Sequence, residues 1–341
     1  MIIRKEDLFL FFNRCISEKI DNYEEILLPK KNNKQDEKQF SFTKYNSDEN
    51  IEYDLESFRT IDPIKTLFYL SRENVSSTSL HSKKRIVAGI KACDLKALNI
   101  LDKALINDDF VDPAYKKLRD NTLIISSDCN RITDSCHCNL VGGKPYSESN
   151  YDINLSKVNN NDYYYIVAGS KKGEKFLNTM KEHVAVNKAP QDVFSLVEEN
   201  RKDILEKLEK QNKEYYHTEN FYELKNSEEK LWIENSDACV GCGACTNICP
   251  TCYCFILNDE TEAEKFVKVR SYDSCQYHGY ARVAGDGSPR PKMHQRFRNR
   301  YLCKFSYFNS NFDTIGCVGC GRCIDACPAE IDFRKVVKKL S

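Results

Sequence analysis

Two near-identical phrases carry the chemistry of this chain: "CVGCGACTNICP" at residues 239–250 and "CVGCGRCIDACP" at 317–328. Each reads Cys-x2-Cys-x2-Cys-x3-Cys-Pro, the run that holds [4Fe–4S] cubes in bacterial ferredoxins. A cube needs four thiolates at its corners. Three cysteines two residues apart wrap one face from a tight loop. The fourth is too far along the chain for the same cube and serves the other one. The spacing therefore predicts crossed ligand sets: Cys239, Cys242, Cys245 and Cys327 for one cluster, and Cys317, Cys320, Cys323 and Cys249 for the other. Gly241, Gly243, Gly319 and Gly321 let backbone amides approach the sulfides. The competing chemistry is a pair of four-cysteine zinc sites. Zinc favours two Cys-x2-Cys knuckles at a distance, not three cysteines in one run followed by Cys-Pro.

Nine of the seventeen cysteines lie outside these motifs. Cys93 follows the apolar run "RIVAGI" by three residues, and Cys129 follows "TLIIS" by three; Cys136 and Cys138 come next in "CNRITDSCHCNLVGG". If both runs are parallel strands, Cys93 and Cys129 emerge at the same sheet edge, where ligands of α/β folds collect. Cys93, Cys129, Cys136 and Cys138 are read as a third iron–sulfur site; the alternative is four buried thiols apart from one another. His137, inside the Cys-x-Cys, is read first as a bystander and second as a ligand. Cys252, Cys254 and Cys275 lie beside the first motif, either on a further cofactor or packed against the clusters, and Cys15 and Cys303 are read as structural.

The elements that position these residues follow from hydrophobic periodicity. "RIVAGI" (85–90) and "TLIIS" (122–126) are short continuous apolar runs, as strands buried on both faces show. Between them Leu95, Leu98, Leu101 and Leu105 recur at helical spacing, completing a βαβ unit with parallel strands. "DYYYIVAGS" (162–170) reads as a strand and "KKGEKFLNTMKEH" as a helix; "LFLFF" near the start is the core stripe of a first helix. Residues 30–50 and 74–84 read as polar exposed segments. After "NKAPQD" (187–192) an amphipathic helix carries Phe194, Val197, Ile204, Leu205 and Leu208 on one side, and "FYELKNSEEKLWIENS" is a second helical stretch leading to Cys239. The fold class is α+β: residues 1–190 an α/β domain with a parallel or mixed sheet, residues 191–341 an α-helical dicluster ferredoxin domain.

Bulk properties narrow the function. Hydrophobic residues are 41%, charged residues 30%, and the formal net charge is +0, so the chain offers no strong field for nucleic acid or membrane. No apolar run approaches the roughly 18 residues of a membrane span, and the first residues are too charged for a secretory leader. The expected location is the cytoplasm. Between 265 and 304 ten Lys/Arg face only Asp273 and Asp286. They are read first as charge compensation for the clusters and fold support, second as a docking surface for an acidic redox partner, third as a nucleic-acid site. No G-x-G-x-x-G follows a strand, and there is no P-loop, H-E-x-x-H or nucleophile elbow. The chain is equipped to hold electrons, not a substrate.

In order along the chain, "GIKACDLKALNILD", "FVDPAYKKLRDNTLIISSDC", "CHCNLVGGKP", "CVGCGACTNICPTCYCF", "DSCQYHGYARVAGDGSPRP" and "IGCVGCGRCIDACPAEIDFRKV" resemble a family of iron–sulfur subunits. That family includes the iron–sulfur electron-transfer subunit of anaerobic sulfite reductase and the β subunit of cytoplasmic nickel–iron hydrogenase, or sulfhydrogenase. The resemblance runs from about residue 58 to the C-terminus. It implies a non-catalytic subunit that passes electrons between a flavin- and NAD(P)H-binding subunit and a catalytic one. Sulfite reductase stands slightly ahead of hydrogenase in this reading. An iron–sulfur redox sensor is the alternative of another class. Where the family has an aromatic inside the Cys-x-Cys, this chain has His137, and residues 30–50 have no counterpart.

Overall fold

A computed structural model describes residues 1–32, 39–47, 51–75, 83–158, 162–215 and 221–340. The chain opens with β1 (Ile2–Arg4), α1 (Lys5–Ser17), β2 (Tyr23–Lys31), β3 (Phe40–Lys44) and β4 (Arg72–Asn74). Next come β5 (Lys84–Ile90), α2 (Ala92–Leu105), α3 (Pro113–Asp120), β6 (Thr122–Ser127), β7 (Ile153–Lys157), β8 (Tyr163–Ala168), α4 (Lys171–His183) and β9 (Val186–Asn187). The second half holds α5 (Val193–Asn212), α6 (Glu229–Ser236), α7 (Ala244–Asn247), β10 (Phe255–Glu262), β11 (Lys265–Tyr272) and α8 (Met293–Leu302). It ends with α9 (Phe308–Phe312), α10 (Arg322–Asp325) and α11 (Phe333–Leu340).

Eight strands form one mixed sheet in the order β3-β2-β5-β6-β7-β8-β1-β9. Its centre, β2-β5-β6-β7, is parallel, and the remaining pairs are antiparallel. The continuous apolar runs have the cause inferred from sequence: both faces are covered. Ile86, Ala88, Leu123 and Ile125 point to a core shared with Leu8, Phe11 and Phe12 of α1 and Phe176 and Met180 of α4. Val87 and Ile124, one residue out of step, point to the opposite core with Leu95, Leu98 and Leu101 of α2 and Tyr115 of α3. Register slips at Gly89 (φ +81°), where a Cβ would press on Pro29.

The polar segments 30–50 and 74–84 lie partly outside the described residues; what is described of the first is the β2-β3 hairpin pairing, Leu27↔Lys44 to Lys31↔Phe40. In α5, Val197, Ile204 and Leu208 are buried as the periodicity requires, but Phe194 is exposed. The first turn of α5 leans on the sheet through Val193 and Val197, against Val158, and Phe194 lies at the rim of that contact, edge-on to Tyr165 at 6.5 Å.

The cysteine-rich half departs from an all-helical design in one respect. The stretch between the motifs folds as an antiparallel hairpin, β10-β11, and β4 from the first half adds a third strand to it. Arg270 on β11 is buried and pairs with Glu73 on β4 and Asp112 at the start of α3, so part of the basic stretch supports the fold. Around the motifs the packing is helical and aromatic: Trp232, Phe297, Tyr301, Phe305 and Phe333 share one core, with Tyr301 stacked on Phe333 at 4.5 Å. No helix among the described residues is long and apolar enough to cross a membrane.

Candidate metal centres

The two motif loops adopt one conformation. In each, the two glycines take positive φ (Gly241 +66° and Gly243 +74°; Gly319 +65° and Gly321 +76°) and lead into a one-turn helix, α7 or α10. That backbone folds the three closely spaced thiols around a common space. Cys239, Cys242 and Cys245 line a cavity together with Cys323 and Cys327 of the other motif, Gln276 and Arg300. The four thiols that the spacing predicts for one cube thus share one space, with Cys323 of the other set also on its wall. Backbone amides approach the sulfurs: Gly319 N–H lies 3.4 Å from Cys317 Sγ, and Ile331 N–H 3.4 Å from Cys327 Sγ.

Cys317, Cys320 and Cys323 each lie within electrostatic reach of Cys249, the complementary set. Burial pushes the Cys317 thiol up to about 11 and raises Cys320 and Cys323 as well. Cys249 goes the other way. A hydrogen bond from Cys252, the nearby Lys304 ammonium and the Thr251 hydroxyl hold it well below the ordinary thiol value.

The buried cations provide a test of whether these donors fit an iron–sulfur cluster. Arg300 is buried, lines the first cavity and leaves its Nε without a hydrogen-bond partner. Burial disfavours its charge, yet Cys245 and Cys323 hold its pKa well above the ordinary value. Lys304 is buried with Thr251 Oγ1 at 2.6 Å, and Lys65 is buried on the carbonyls of Cys252 (2.8 Å) and Thr246 (3.4 Å). None of the three is paired with a carboxylate among the described residues. Buried charges without counter-charges cost several kcal/mol. Thiolate-bound clusters carry negative charge, so the residues present suit such a group. The thiols of the first set surround a space, as the corners of a cube require.

The N-terminal quartet is also brought together. Cys93 lies in the first turn of α2, within electrostatic reach of Cys129 and Cys320; Cys129 is in the same reach of Cys136, and Cys138 of both Cys129 and Cys136. Burial pushes Cys129 up to about 12, against the pull of neighbouring Lys91. Lys91 is itself buried, donating to Leu55 O (2.9 Å), Ser127 Oγ (2.8 Å) and Asp128 O (3.2 Å). The loop of Cys136 and Cys138 packs directly on the second motif. His137 N–H donates to Gly319 O at 2.8 Å, and a Cβ on Gly319 would fall on the Cys138 backbone.

His137 faces the second motif rather than the quartet. Its Nδ1–H donates to Ser135 O at 2.8 Å, leaving Nε2 to point at Cys317 Sγ, 4.0 Å away. Burial lowers its pKa to about 4, so the ring is neutral. Sequence reasoning missed the clamp that fixes this arrangement. Arg322, inside the second motif, forms a two-pronged ion pair with Asp94 of α2 at 2.7 Å on both arms. Arg59, also buried, holds the Cys320 carbonyl and Asp325. The basic residue within "CGRC" and the acidic one within "ACDL" were the signal, but nothing local joins residues 228 apart.

A family model described as a 4Fe-4S dicluster domain matches residues 238–331. The chain is similar to the sulfhydrogenase 2 β subunit of Pyrococcus furiosus, with 32% identity over 303 residues, covering 85% of this chain and 86% of that protein.

Proposed function

The chain belongs to the iron–sulfur family of the sulfhydrogenase β subunit, and on that premise we propose that it is the electron-transfer subunit of a multisubunit hydrogenase of the sulfhydrogenase type. The reading that placed sulfite reductase first gives way here: the relative is a sulfhydrogenase subunit. We assign residues 1–190 and 191–341 to its two units, and the cytoplasm, which keeps thiols reduced, as its compartment. A flavin- and NAD(P)H-binding subunit supplies or takes electrons at one end, and a catalytic subunit does so at the other.

The observation that carries this reading is the space lined by cysteines from both motifs, Cys239, Cys242, Cys245 and Cys327 with Cys323 beside them, and by Arg300, whose Nε has no partner among the described residues. These four hold one [4Fe–4S] cluster. Cys317, Cys320, Cys323 and Cys249 hold the second, and Cys93, Cys129, Cys136 and Cys138 hold a third. Bound clusters supply one-electron steps with little movement of ligands. The chain's own residues set their spacing and charge. Cys245, in α7, and Cys249, just beyond its end, are within electrostatic reach of each other, which supports two motif sets side by side. Cys93 is within reach of Cys320, which joins the N-terminal quartet to the second set. Arg300 and Lys304 balance the charge of the two motif sets, and His137, neutral, shields Cys317 from water. Cys242 is exposed beside the exposed Val240, so the first set comes closest to the surface and offers the port for a partner.

Anaerobic isolation of the tagged full chain from its own cells tests the assignment. Co-elution of a flavin-containing subunit and a nickel-containing subunit is the expected result. A siroheme protein in their place would return sulfite reduction to the front, and a chain isolated without any redox partner would remove the relay.

A further inference from the structure

Three cysteines stand outside every set described so far and meet in space. Cys254 immediately precedes β10 and Asp273 immediately follows β11. The register Phe255↔Tyr272 puts them opposite each other, with Asp273 N–H on Cys254 O at 3.0 Å. The hairpin root thereby returns Cys275 to the side of Cys254. Cys303 arrives from another direction. It opens a π-helical stretch, Cys303–Tyr307, at the end of α8. Such wide turns are uncommon and concentrate at functional sites. This one turns Lys304 wholly inward and Cys303 partly so. Cys254, Cys275 and Cys303 are mutually within electrostatic reach. Two donors already address their sulfurs: Tyr280 O–H points to Cys254 Sγ at 3.5 Å, and Gln276 Nε2–H to Cys275 Sγ at 3.6 Å. Metal-bound thiolates take hydrogen bonds of this kind from their surroundings.

We propose that Cys254, Cys275 and Cys303 hold a further iron–sulfur cluster of the [4Fe–4S] type, between the root of the β10-β11 hairpin and the end of α8. The proposal rests on the reading that the two motifs carry clusters, and adds a centre that the dicluster pattern does not contain. Each thiol loses its proton on binding, and the buried Lys304 ammonium beside Cys303 balances the resulting charge. Cys252 is excluded from the set because it is hydrogen-bonded to Cys249. Three thiolates leave one corner of a cube to a ligand other than cysteine. The position is within the relay: Cys275 is in reach of Cys245, and Cys303 of Cys249, so the site adjoins both motif sets.

The full-length chain, purified and reconstituted anaerobically with iron and sulfide, provides the test. Iron, sulfide and zinc are counted in the wild type and in the triple variant Cys254→Ala/Cys275→Ala/Cys303→Ala, and circular dichroism checks folding. The expected result is the loss of about four irons and four sulfides, with the EPR signals of the motif clusters retained. A folded triple variant with unchanged iron overturns the proposal, as does the loss of one zinc in place of iron. If the triple variant does not fold, the Mössbauer spectra of ⁵⁷Fe-loaded wild type and Cys303→Ser decide: a component altered in the variant supports the site, and identical spectra overturn it. A wild-type chain that takes up no iron at all would instead bring down the reading of the motifs themselves.

Discussion

Removing either half of the Arg322–Asp94 clamp should loosen the second motif from the sheet that carries the N-terminal thiols. Both side chains are 1% exposed, and the guanidinium makes two bonds of 2.7 Å to the carboxylate. Otherwise it keeps only neutral acceptors, chiefly Thr60 O at 2.9 Å and Ile61 O at 3.1 Å, with Asp62 O at 3.3 Å and Thr60 Oγ1 at 3.4 Å. Asp94→Leu strands a buried cation, and Arg322→Met strands a buried carboxylate. Either change should cost about 3–5 kcal/mol, while replacing both with apolar residues should be close to neutral. Unfolding entropy of about 2.1 cal/mol/K per residue over 341 residues converts that loss into a drop in Tm of roughly 4–7 °C. The assay is anaerobic differential scanning calorimetry of the two single variants and Asp94→Leu/Arg322→Met, with iron measured in each because Cys93 and Cys320 are neighbours. The double variant should recover most of the loss, a coupling of at least about 2 kcal/mol. Additive losses, with coupling under about 0.5 kcal/mol, would refute the clamp.

Three further outcomes are expected. In the crossed arrangement Cys249→Ser perturbs the cluster held by Cys317, Cys320 and Cys323, and Cys327→Ser the one held by Cys239, Cys242 and Cys245; EPR showing each mutation damaging its own motif's cluster would reverse the pairing. Arg300→Met removes a unit positive charge from the wall of the first set. At roughly 8 Å and an effective dielectric of about 20 that charge is worth about 2 kcal/mol, roughly 90 mV for one electron, so that cluster's midpoint potential should fall by this order in a redox titration. Cys15 lies wholly within the first core, and burial raises its pKa from 9.0 to about 12. The folded state therefore keeps a proton that the unfolded state releases above pH 9. The stability it lends is complete below that value and lost as pH rises through it. Between pH 8 and 10 the wild type should lose about 1.4 kcal/mol that Cys15→Ala does not, read from urea midpoints.

Local pattern carried the sequence reading where covalent spacing or periodicity decides the structure. The doubled motif needs only a turn that folds three thiols around a space, and its glycines take the positive φ that such a turn demands. The runs at 85–90 and 122–126 announced parallel strands because both their faces are covered. The hairpin between the motifs was missed. Its strands are rich in charge, its apolar residues Phe255, Ile256, Leu257 and Phe266 are exposed, and the alternation of Val267 and Val269 was its one faint signal. Phe194 misled because helical periodicity marks a stripe without saying how wide the contact beneath it is. The clamp and the convergence of Cys303 with Cys254 and Cys275 depend on tertiary packing alone, and no spacing rule reaches that far.

The most direct measurement is a stepwise anaerobic reduction of the purified full chain, followed by EPR and by iron and sulfide analysis. An iron–sulfur electron relay should show at least about eight irons with matching sulfide, and two or more centres that accept electrons separately. Stoichiometric zinc with little iron, or a chain with no reducible centre, would contradict it.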